Sequence, residues 1–414
     1  MSLLTQASLI TTPNAYKTSK LYSIVPTNGD GDMTVVRATA ATRTNSSGLI
    51  ESVGNNVPRL NYDAAGGCPS ILLEPQRTNS TANSTMVGAS ASPSTFPTLW
   101  SLSPSGLTQT VVGVGTENGL SYIDVRFNGT ATATSSGIRT QGTMTVSAVK
   151  DEKWSSSVYL KIIDQTAGAT DYKLNNIERA SGGGFLTTYN TAFSNTTLQR
   201  ITTSFTITNV LTAFIQVEIL ATVVIGQNYD FTIRIAAPQL EKGAYPTSYI
   251  PTTTTALTRN ADVLSRNDIY TNNLITSSGG TWFVELDNNI ALIRDTFGYA
   301  LYINTSSNGG GNGLVIRNNN PTLASRLSLG TVATGVITDR YLTLVNNIKV
   351  AIKWNSTTAD FFVNGSKVLS NVSFTITAMD FLAANTADVP KYIKSIMLFP
   401  TPLTDTECTS LTTL

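Results

Sequence analysis

The titratable side chains of this sequence do not form a catalytic set. There are no histidines, which excludes histidine-based triads, histidine-ligated zinc and imidazole acid–base chemistry. A glycoside hydrolase needs two carboxylates about 5–10 Å apart in a cleft, and no Asp/Glu pair here stands in a recognisable catalytic motif. The adjacent acids Asp151 and Glu152 lie between Lys150 and Lys153, which predicts a solvated turn. We therefore expect no enzymatic activity and no catalytic residue.

The acidic residues also give no convincing metal site. Asn28–Asp32 resembles the start of an EF-hand loop, but that pattern requires Gly at its sixth position and an acid at its twelfth. This chain has Met33 and Thr39 there, so the segment predicts a tight turn that exposes Asp30 and Asp32. Acids of the C-terminal part are scattered: Asp287, Asp295, Asp380 and Asp388. We expect no bound metal and no other cofactor.

Aromatic residues are the candidates for sugar binding, which uses stacking on aromatic faces and hydrogen bonds from amide and acid side chains. The sequence has four tryptophans: Trp100, Trp154, Trp282 and Trp354. Trp282 and Trp354 lie within apolar strands, where core packing is expected. Trp100 lies in a Pro/Ser-rich loop and is the candidate glycan-binding residue, with burial as the alternative. Tyr245 and Tyr249 lie beside prolines and are expected to hold that segment against a sandwich edge.

Composition and charge exclude several kinds of partner. The chain carries 27 basic and 26 acidic residues, spread evenly, so it lacks the basic patch that nucleic acid or an anionic membrane would need. The N-terminus has no basic start followed by an apolar run, and no stretch approaches about 18 apolar residues. We expect a protein made and kept soluble in a cytoplasm. Cys68 and Cys408 are expected to be small buried residues, with an interdomain disulfide as the alternative.

The pattern of residues predicts an all-β chain. Strand-like alternation is abundant, turns carry Gly, Asn, Pro and Ser, and charged residues make up only 13%. We predict a small β-rich N-terminal module over residues 1–82, followed by two consecutive antiparallel β-sandwich (jelly-roll) domains over 83–255 and 256–414. The first module has few apolar residues, so neighbouring chains or domains are expected to bury its strands. A Pro/Thr-rich segment, 238–255, predicts a stiff extended linker.

Two local elements have specific signatures. Asp360–Val363 followed by Asn364-Gly365 predicts a β-hairpin with a type I′ turn. Near the C-terminus, Thr404 and Glu407 have the spacing of a capping box, which predicts a short helix.

Three motifs together resemble a known class of protein. They are Val36–Arg43 with Gly48–Glu51, Val57–Arg59 and Leu73–Asn79; Gln239–Thr252 with Thr258–Asp262; and Asp360–Gly365 with Ile393–Phe399 and Leu403–Leu411. In this order they resemble modular structural proteins of tailed phages and prophages. Such proteins join a short N-terminal module, a carbohydrate-binding-like sandwich and a laminin-G/concanavalin-like jelly roll.

The resemblance implies a structural component of a bacteriophage virion, such as a head fibre, tail fibre or other appendage, assembled in the host cytoplasm. Its N-terminal module would serve virion attachment or oligomerisation. Expected partners are other virion proteins of the capsid or tail, further copies of the chain in a homotrimer, and a glycan of the host surface. A receptor-binding depolymerase acting on host polysaccharide is the alternative. A host-encoded adhesin would require an export signal.

Overall fold

The structure is a computed structural model of the 414-residue chain. It describes residues 2–63, 66–103, 106–142, 146–169, 171–287, 298–305, 312–318, 326–333, 336–343, 347–373, 378–384 and 391–414. Nearly all of its secondary structure is antiparallel β-sheet, which confirms the all-β prediction. The chain forms two compact units: unit 1 is Met1–Gln76 with Asn260–Leu414, and unit 2 is Arg77–Arg259.

The elements follow in chain order. Unit 1 begins with α1 (Leu3–Gln6), β1 (Leu9–Lys17), β2 (Lys20–Val25), β3 (Met33–Val36), β4 (Ala41–Thr44), β5 (Ile50–Val53), β6 (Leu60–Asn61) and β7 (Ser70–Leu73). Unit 2 contains β8 (Arg77–Asn79), β9 (Ser90–Ala91), β10 (Ser94–Thr95), β11 (Ser101–Leu102), β12 (Thr108–Glu117), β13 (Leu120–Thr130), β14 (Ser135–Arg139), β15 (Val146–Ser147), β16 (Lys153–Ala167), β17 (Asp171–Ala180), β18 (Phe185–Ala192), β19 (Gln199–Thr206), β20 (Thr212–Thr222), β21 (Asn228–Lys242) and β22 (Leu257–Arg259). Unit 1 resumes with β23 (Val263–Arg266), β24 (Gly279–Leu286), β25 (Gly298–Asn304), β26 (Gly313–Asn318), β27 (Arg326–Ala333), β28 (Val336–Thr343), β29 (Ile348–Asn355), β30 (Thr358–Val363), β31 (Ser366–Ser373), β32 (Phe381–Ala384), β33 (Lys391–Phe399) and α2 (Asp405–Thr412).

Unit 1 is built on one continuous antiparallel sheet. Its strand order is β28-β27-β26-β25-β32-β23-β3-β2-β1-β33-β24-β29-β30-β31, with β7 attached to β33 and β6 to β7. Strands far apart in this order, such as those of Trp282 and Ile303, share one apolar core cluster, so the sheet folds over on itself.

The N-terminal residues form the middle of this sheet, which differs from the separate module predicted over 1–82. Leu9 of β1 pairs with Leu398 of β33, and Val35 of β3 pairs with Leu264 of β23. Both N-terminal side chains enter the same core cluster as the C-terminal strands. The physical reason is the one given by composition: these strands have too little apolar surface to enclose a core alone. The C-terminal part of the same chain buries them.

A buried ionic cluster joins the two segments of unit 1. Arg37 donates from Nη1 to Asp262 Oδ1 at 2.9 Å, and Arg59 donates from Nη1 to Glu74 Oε2 at 2.7 Å and from Nη2 to Asp262. The backbone N–H of Glu74 donates to Asp262 Oδ2 at 2.9 Å. Burial alone would lower the pKa of Arg59, but the charges of Asp262 and Glu74 outweigh it and raise that pKa. Two guanidinium groups and two carboxylates therefore neutralise one another inside the fold.

Unit 2 is a two-sheet sandwich. One sheet has the order β11-β14-β20-β17-β18, with β15 also paired to β20, and the other has the order β12-β13-β21-β16-β19. Apolar side chains from both sheets, including Val217 of the first and Phe231 of the second, form its core. Phe127 and Phe231 stack with ring centroids 4.9 Å apart.

The segment expected to be an extended linker is instead packed into unit 2. β21 continues to Lys242, and the residues after it are buried by side chains of the same unit. The hydroxyl groups of Tyr249 and Ser84 lie 2.9 Å apart, and the backbone N–H of Thr252 donates to Ser84 Oγ at 2.8 Å. The linker prediction is therefore wrong, whereas the expectation that Tyr245 and Tyr249 hold this segment in place is confirmed.

The two local signatures are confirmed. Asn364 and Gly365 have φ values of 45° and 78°, as a type I′ turn requires, between β30 and β31. Thr404 caps α2, and both hydrogen bonds of the capping box with Glu407 are present. In the parts of the chain that the structure describes, no helix is long and apolar enough to cross a membrane.

The two cysteines differ in environment. Cys408 is buried, as predicted, and burial raises the pKa of its thiol to about 12. Cys68 is exposed, so the prediction of burial is wrong for this residue. Both thiols are free, and the alternative of a disulfide between them does not hold.

We predict that Asp262→Asn strongly destabilises unit 1. Removing one carboxylate leaves a buried positive charge unbalanced, which costs about 3–5 kcal/mol when a buried pair is broken. Denaturant-dependent hydrogen exchange of the full chain would measure this, with peptides of unit 2 as an internal reference. Asp30→Asn, at an exposed turn, is the matched control and should change stability by less than about 0.5 kcal/mol. Equal protection of β1 and β33 in both variants would contradict the prediction.

Candidate ligand-binding site

Strand β20 separates two kinds of side chain in unit 2. Ile215, Val217 and Ile219 belong to the core cluster. Because successive side chains of a strand point to opposite faces, the intervening Gln216 and Glu218 point away from that core. The outer face of this sheet therefore carries an amide and a carboxylate at its centre.

The pairing register brings polar side chains from three strands together on this face. Glu218 lies directly across from Arg139 of β14 on one side and from Asn175 of β17 on the other. Residues directly opposite in an antiparallel pair share a face and are close neighbours. Arg179 of β17 donates from Nε to Gln216 Oε1 at 2.7 Å. Together Arg139, Asn175, Arg179, Gln216 and Glu218 are named the polar recess.

The side chains at the centre of the polar recess are buried, although they lie outside the apolar core. Gln216 is 0% exposed, Glu218 4% and Asn175 7%. Polar groups that are this well shielded from water cost free energy unless they form hydrogen bonds. Their hydrogen-bond partners are therefore informative.

Three buried atoms of the polar recess have no hydrogen-bond partner among the described residues. They are Nε2 of Gln216, Oε1 of Glu218 and Nε of Arg139. Arg139 Nε and Glu218 Oε1 form an ion pair at 3.8 Å, which is too long for a hydrogen bond. A buried donor or acceptor that forms no hydrogen bond costs about 1–3 kcal/mol of stability. Water or a ligand with both acceptor and donor groups would remove that cost.

The charges of the polar recess act on one another. Burial and the positive charge of Arg139 lower the pKa of Arg179, and the carboxylate of Glu218 opposes this in part. Arg179 is also held by a hydrogen bond from Nη1 to the carbonyl oxygen of Gly183 at 2.9 Å. Its guanidinium group is therefore fixed in place, whereas that of Arg139 has only the long ion pair.

Aromatic side chains border the polar recess. Arg179 lies directly across from Phe185 of β18 and from Phe214 of β20. Phe185 is 63% exposed, which is unusual for a large apolar ring. On the other side, a Cβ atom at Gly137 would lie 3.1 Å from Glu218 Oε1, so a larger residue there would crowd that carboxylate. Phe185 is thus an exposed ring on the strand next to Arg179, at a point where the strand pairing has a register shift.

The outer face of the second sheet is different, because the charges around Arg234 are paired. Arg234 of β21 donates from Nε and Nη2 to Asp124 at 2.7 and 2.8 Å, and from Nη1 to Glu117 at 2.5 Å. Its guanidinium carbon lies 3.4 Å from the ring centre of Tyr122, and Lys161 donates to Glu117 at 2.9 Å. The hydrogen bond to Asp124 is the main cause of the raised pKa of Arg234. This arrangement serves the fold and leaves little for a ligand.

Trp100, the residue expected to bind a glycan, has the packing role instead. It is 9% exposed and belongs to the core cluster of unit 2. Its indole N–H donates to the carbonyl oxygen of Asn83 at 3.1 Å. Neither ring face is therefore free for stacking. Trp282 and Trp354 lie in the core of unit 1, as predicted, and Trp154 lies in that of unit 2.

The acids considered for metal binding hold local structure. Asp32 accepts a hydrogen bond from the backbone N–H of Ser23 at 2.8 Å and is half-buried, whereas Asp30, the other acid of the predicted turn, is exposed. Asp380 accepts from the backbone N–H groups of Tyr270 and Thr271, both at 2.8 Å. Asp295 and Asp388 lie outside the described residues. Within the described residues, no three His, Cys, Asp or Glu side chains come together as a metal site requires.

Comparisons with known proteins give no family. No family model matches the sequence, and no curated protein matches it. One similar solved structure is the CBM40 module of a Ruminococcus gnavus IT-sialidase bound to α2,3-sialyllactose, at 12% identity, 33% of this chain, 83% of that chain and a TM-score of 0.26. A second is domain 4 of the Geobacillus stearothermophilus arabinanase AbnA with arabinotriose. It has 10% identity and a TM-score of 0.29, and the match covers 37% of this chain and 73% of that chain. A third is the baseplate tripod of bacteriophage Tuc2009. It has 13% identity and a TM-score of 0.26, and the match covers 68% of this chain and 97% of that chain. Similarities of this size assign no function.

Next to the polar recess, Glu178 anchors β17 from the core side. Its Oε1 accepts from Tyr189 Oη at 2.6 Å and from the backbone N–H of Thr208 at 3.0 Å, and its Oε2 accepts from Thr212 Oγ1 at 2.5 Å. Burial would raise the pKa of Glu178, but these hydrogen bonds outweigh it and hold the pKa below its ordinary value. The ionised form is thus the one that the fold binds.

We predict that Glu178→Gln destabilises unit 2 in a pH-dependent manner. Because the folded pKa is lowered, the stability from Glu178 is present above the unfolded pKa and is lost as the pH falls through the folded value. The variant should lose about 1–3 kcal/mol near pH 7, and less below about pH 4.5. Denaturant unfolding over this pH range measures the difference, and the exposed Asp164→Asn controls for the loss of a charge. A difference that does not change with pH would refute this role of the ionised carboxylate.

Proposed function

We propose that this chain is a structural component of a tailed-phage particle that binds a host surface glycan through the polar recess and Phe185. The observation that supports glycan binding is the presence, in one sheet, of three unpartnered, buried polar atoms and of an exposed aromatic ring paired with Arg179. The sequence motifs support the phage assignment.

A sugar has the chemistry that this face lacks. Its hydroxyl groups both donate and accept, which matches the Gln216 and Arg139 donors and the Glu218 acceptor. The C–H face of a pyranose ring is apolar and packs on a phenyl ring such as that of Phe185. Binding sites of this kind combine an apolar surface with a few convergent polar groups.

The polar recess supports binding rather than cleavage. Glycoside hydrolysis needs a second carboxylate about 5–10 Å from the first. Glu218 is the single acid among the five residues of the polar recess, and its neighbours are two arginines and two amides. A depolymerase remains the alternative function, and this composition does not favour it.

The phage part of the proposal rests on the motifs of the sequence. In the structure, several of their charged residues form the buried cluster of unit 1: Arg37, Arg59, Glu74 and Asp262. The resemblance therefore includes residues that hold the fold together. Several copies on one particle, as in the proposed homotrimer, would give avidity to individually weak sugar sites.

We predict that Phe185→Ala weakens glycan binding. Loss of the ring should raise Kd about 3- to 10-fold, since an aromatic contact of this kind contributes about 0.5–1.5 kcal/mol. A glycan array of host surface polysaccharides with the full chain identifies the ligand, and calorimetry measures the change. Ile225→Ala removes an apolar side chain of similar exposure, 59%, from a turn of unit 2 and should bind like the wild type. Equal weakening by both variants, or binding by neither the wild type nor the variants, would count against the site.

We also predict that the protein is present in mature phage particles. Immunogold labelling or cryo-EM of purified virions should locate it on a head or tail appendage. Labelling of lysate but not of particles would overturn the structural assignment. Incubation with the bound polysaccharide should leave the polymer length unchanged, and shortening would favour the depolymerase.

A further inference from the structure

The charges of the polar recess do not balance. Arg139 and Arg179 place two guanidinium groups there, and Glu218 supplies one carboxylate. The positive charge of Arg139 lowers the pKa of Arg179, so the two cations act on each other. By contrast, the ionic cluster of unit 1 pairs two guanidinium groups with two carboxylates. An excess positive charge in a shielded position is costly unless an anion joins it.

The two arginines differ in how much of their hydrogen-bonding capacity is used. Arg179 Nε and Nη1 are bound to Gln216 and to the carbonyl oxygen of Gly183. The side chain of Arg139 forms no hydrogen bond within the described residues; its Nε is buried without a partner, and the side chain is 17% exposed. A guanidinium group offers parallel N–H donors that match a carboxylate in a bidentate manner. Arg139 is therefore the cation that is ready to receive one.

We propose that the glycan bound by the polar recess is acidic, and that the carboxylate of a uronic or sialic acid residue pairs with Arg139. This inference rests on the proposed function, since it names the class of sugar for the same site. Arg179 acts as a positioning residue that adds positive charge, and its own N–H groups hold Gln216 in place.

The position of Glu218 makes this choice selective. Its Oε1 lies 3.8 Å from Arg139 Nε and repels a second anion that approaches Arg139 next to it. An acidic sugar must therefore place its carboxylate against Arg139 away from Glu218. Neutral sugars would satisfy the acceptor but leave the excess charge unbalanced.

The test compares each acidic oligosaccharide with its own neutral form. Calorimetry with the full chain would use oligomers that contain glucuronate, galacturonate or terminal sialic acid, together with carboxyl-reduced or desialylated counterparts. We expect binding of at least one acidic series, with the neutral form weaker by about 10- to 100-fold. The separate arms distinguish a uronic acid from a sialic acid.

Variants identify the residue responsible. Arg139→Met should weaken binding of the acidic ligand about 10- to 100-fold and remove its preference over the neutral form, and Arg139→Lys should restore part of it. Arg126→Met, on the outer face of the second sheet, removes an arginine paired with Asp230 and should bind like the wild type. Unchanged thermal unfolding shows that Arg139→Met folds, and Arg139→Lys keeps the test valid if it does not.

The outcomes distinguish a preference for acidic glycans from glycan binding in general. Equal binding of acidic and neutral forms, or an Arg139→Met variant with an undiminished preference, overturns the acidic ligand and leaves glycan binding in place. Binding to no glycan overturns both. Acidic preference that persists in Arg139→Met but disappears in Arg126→Met would place the acidic site on the other sheet.

Discussion

Unit 1 depends on the carboxylate of Asp262. The chain leaves unit 1 after Gln76 and returns to it at Asn260, and Asp262 then completes a site that holds two buried guanidinium groups. Its backbone N–H donates to the carbonyl oxygen of Glu74 at 3.0 Å, while its carboxylate accepts from the N–H of that residue. Because an unpaired buried charge costs several kcal/mol, any other register of the returning strand is disfavoured. The cluster thus favours the observed pairing of β23, which joins β3 of the N-terminal segment to β32 of the C-terminal segment.

The elements that the sequence predicts correctly are specified by residues close together in the chain. The capping box of α2 and the Asn364-Gly365 turn need only residues a few positions apart, and both were found from their spacing. The membership of β1 to β3 in the C-terminal sheet depends on partners hundreds of residues away, which periodicity does not reveal. The same reason explains the linker prediction for the segment after β21. Its prolines indicate a stiff segment, but the burial of Tyr249 depends on its contact with Ser84, which is distant in the sequence.

Residue types alone do not predict the candidate site, because its chemistry depends on the position of each side chain in the sheet. Tryptophan is the strongest sugar platform by type, yet Trp100 is the kind of large ring that a core takes. The signal that could have found the site is the alternation of β20, in which Gln216 and Glu218 interrupt an apolar strand on one face. Alternation predicts that they leave the core, but it ordinarily implies solvent exposure. Their burial comes from the flanking strands, so it could be seen only in the structure.

The two outer faces of unit 2 differ in how many of their polar groups form hydrogen bonds, and this difference makes the polar recess the candidate ligand-binding site. Both carry arginine, acid and aromatic side chains, and both lie on stiff sheets. On one, the donors of Arg234 that contact Asp124 and Glu117 are matched at short distances, so a ligand would have to break bonds already made. On the other, Arg139 and Glu218 stay 3.8 Å apart, and the energetic cost of their unmade bonds is already included in the fold. A ligand that completes them gains those bonds without first disrupting others, and the sheet needs little reorganisation to receive it. Under the proposed function, specificity for a sugar class would follow from the atoms that the fold leaves unmatched, and affinity from the number of copies on one particle.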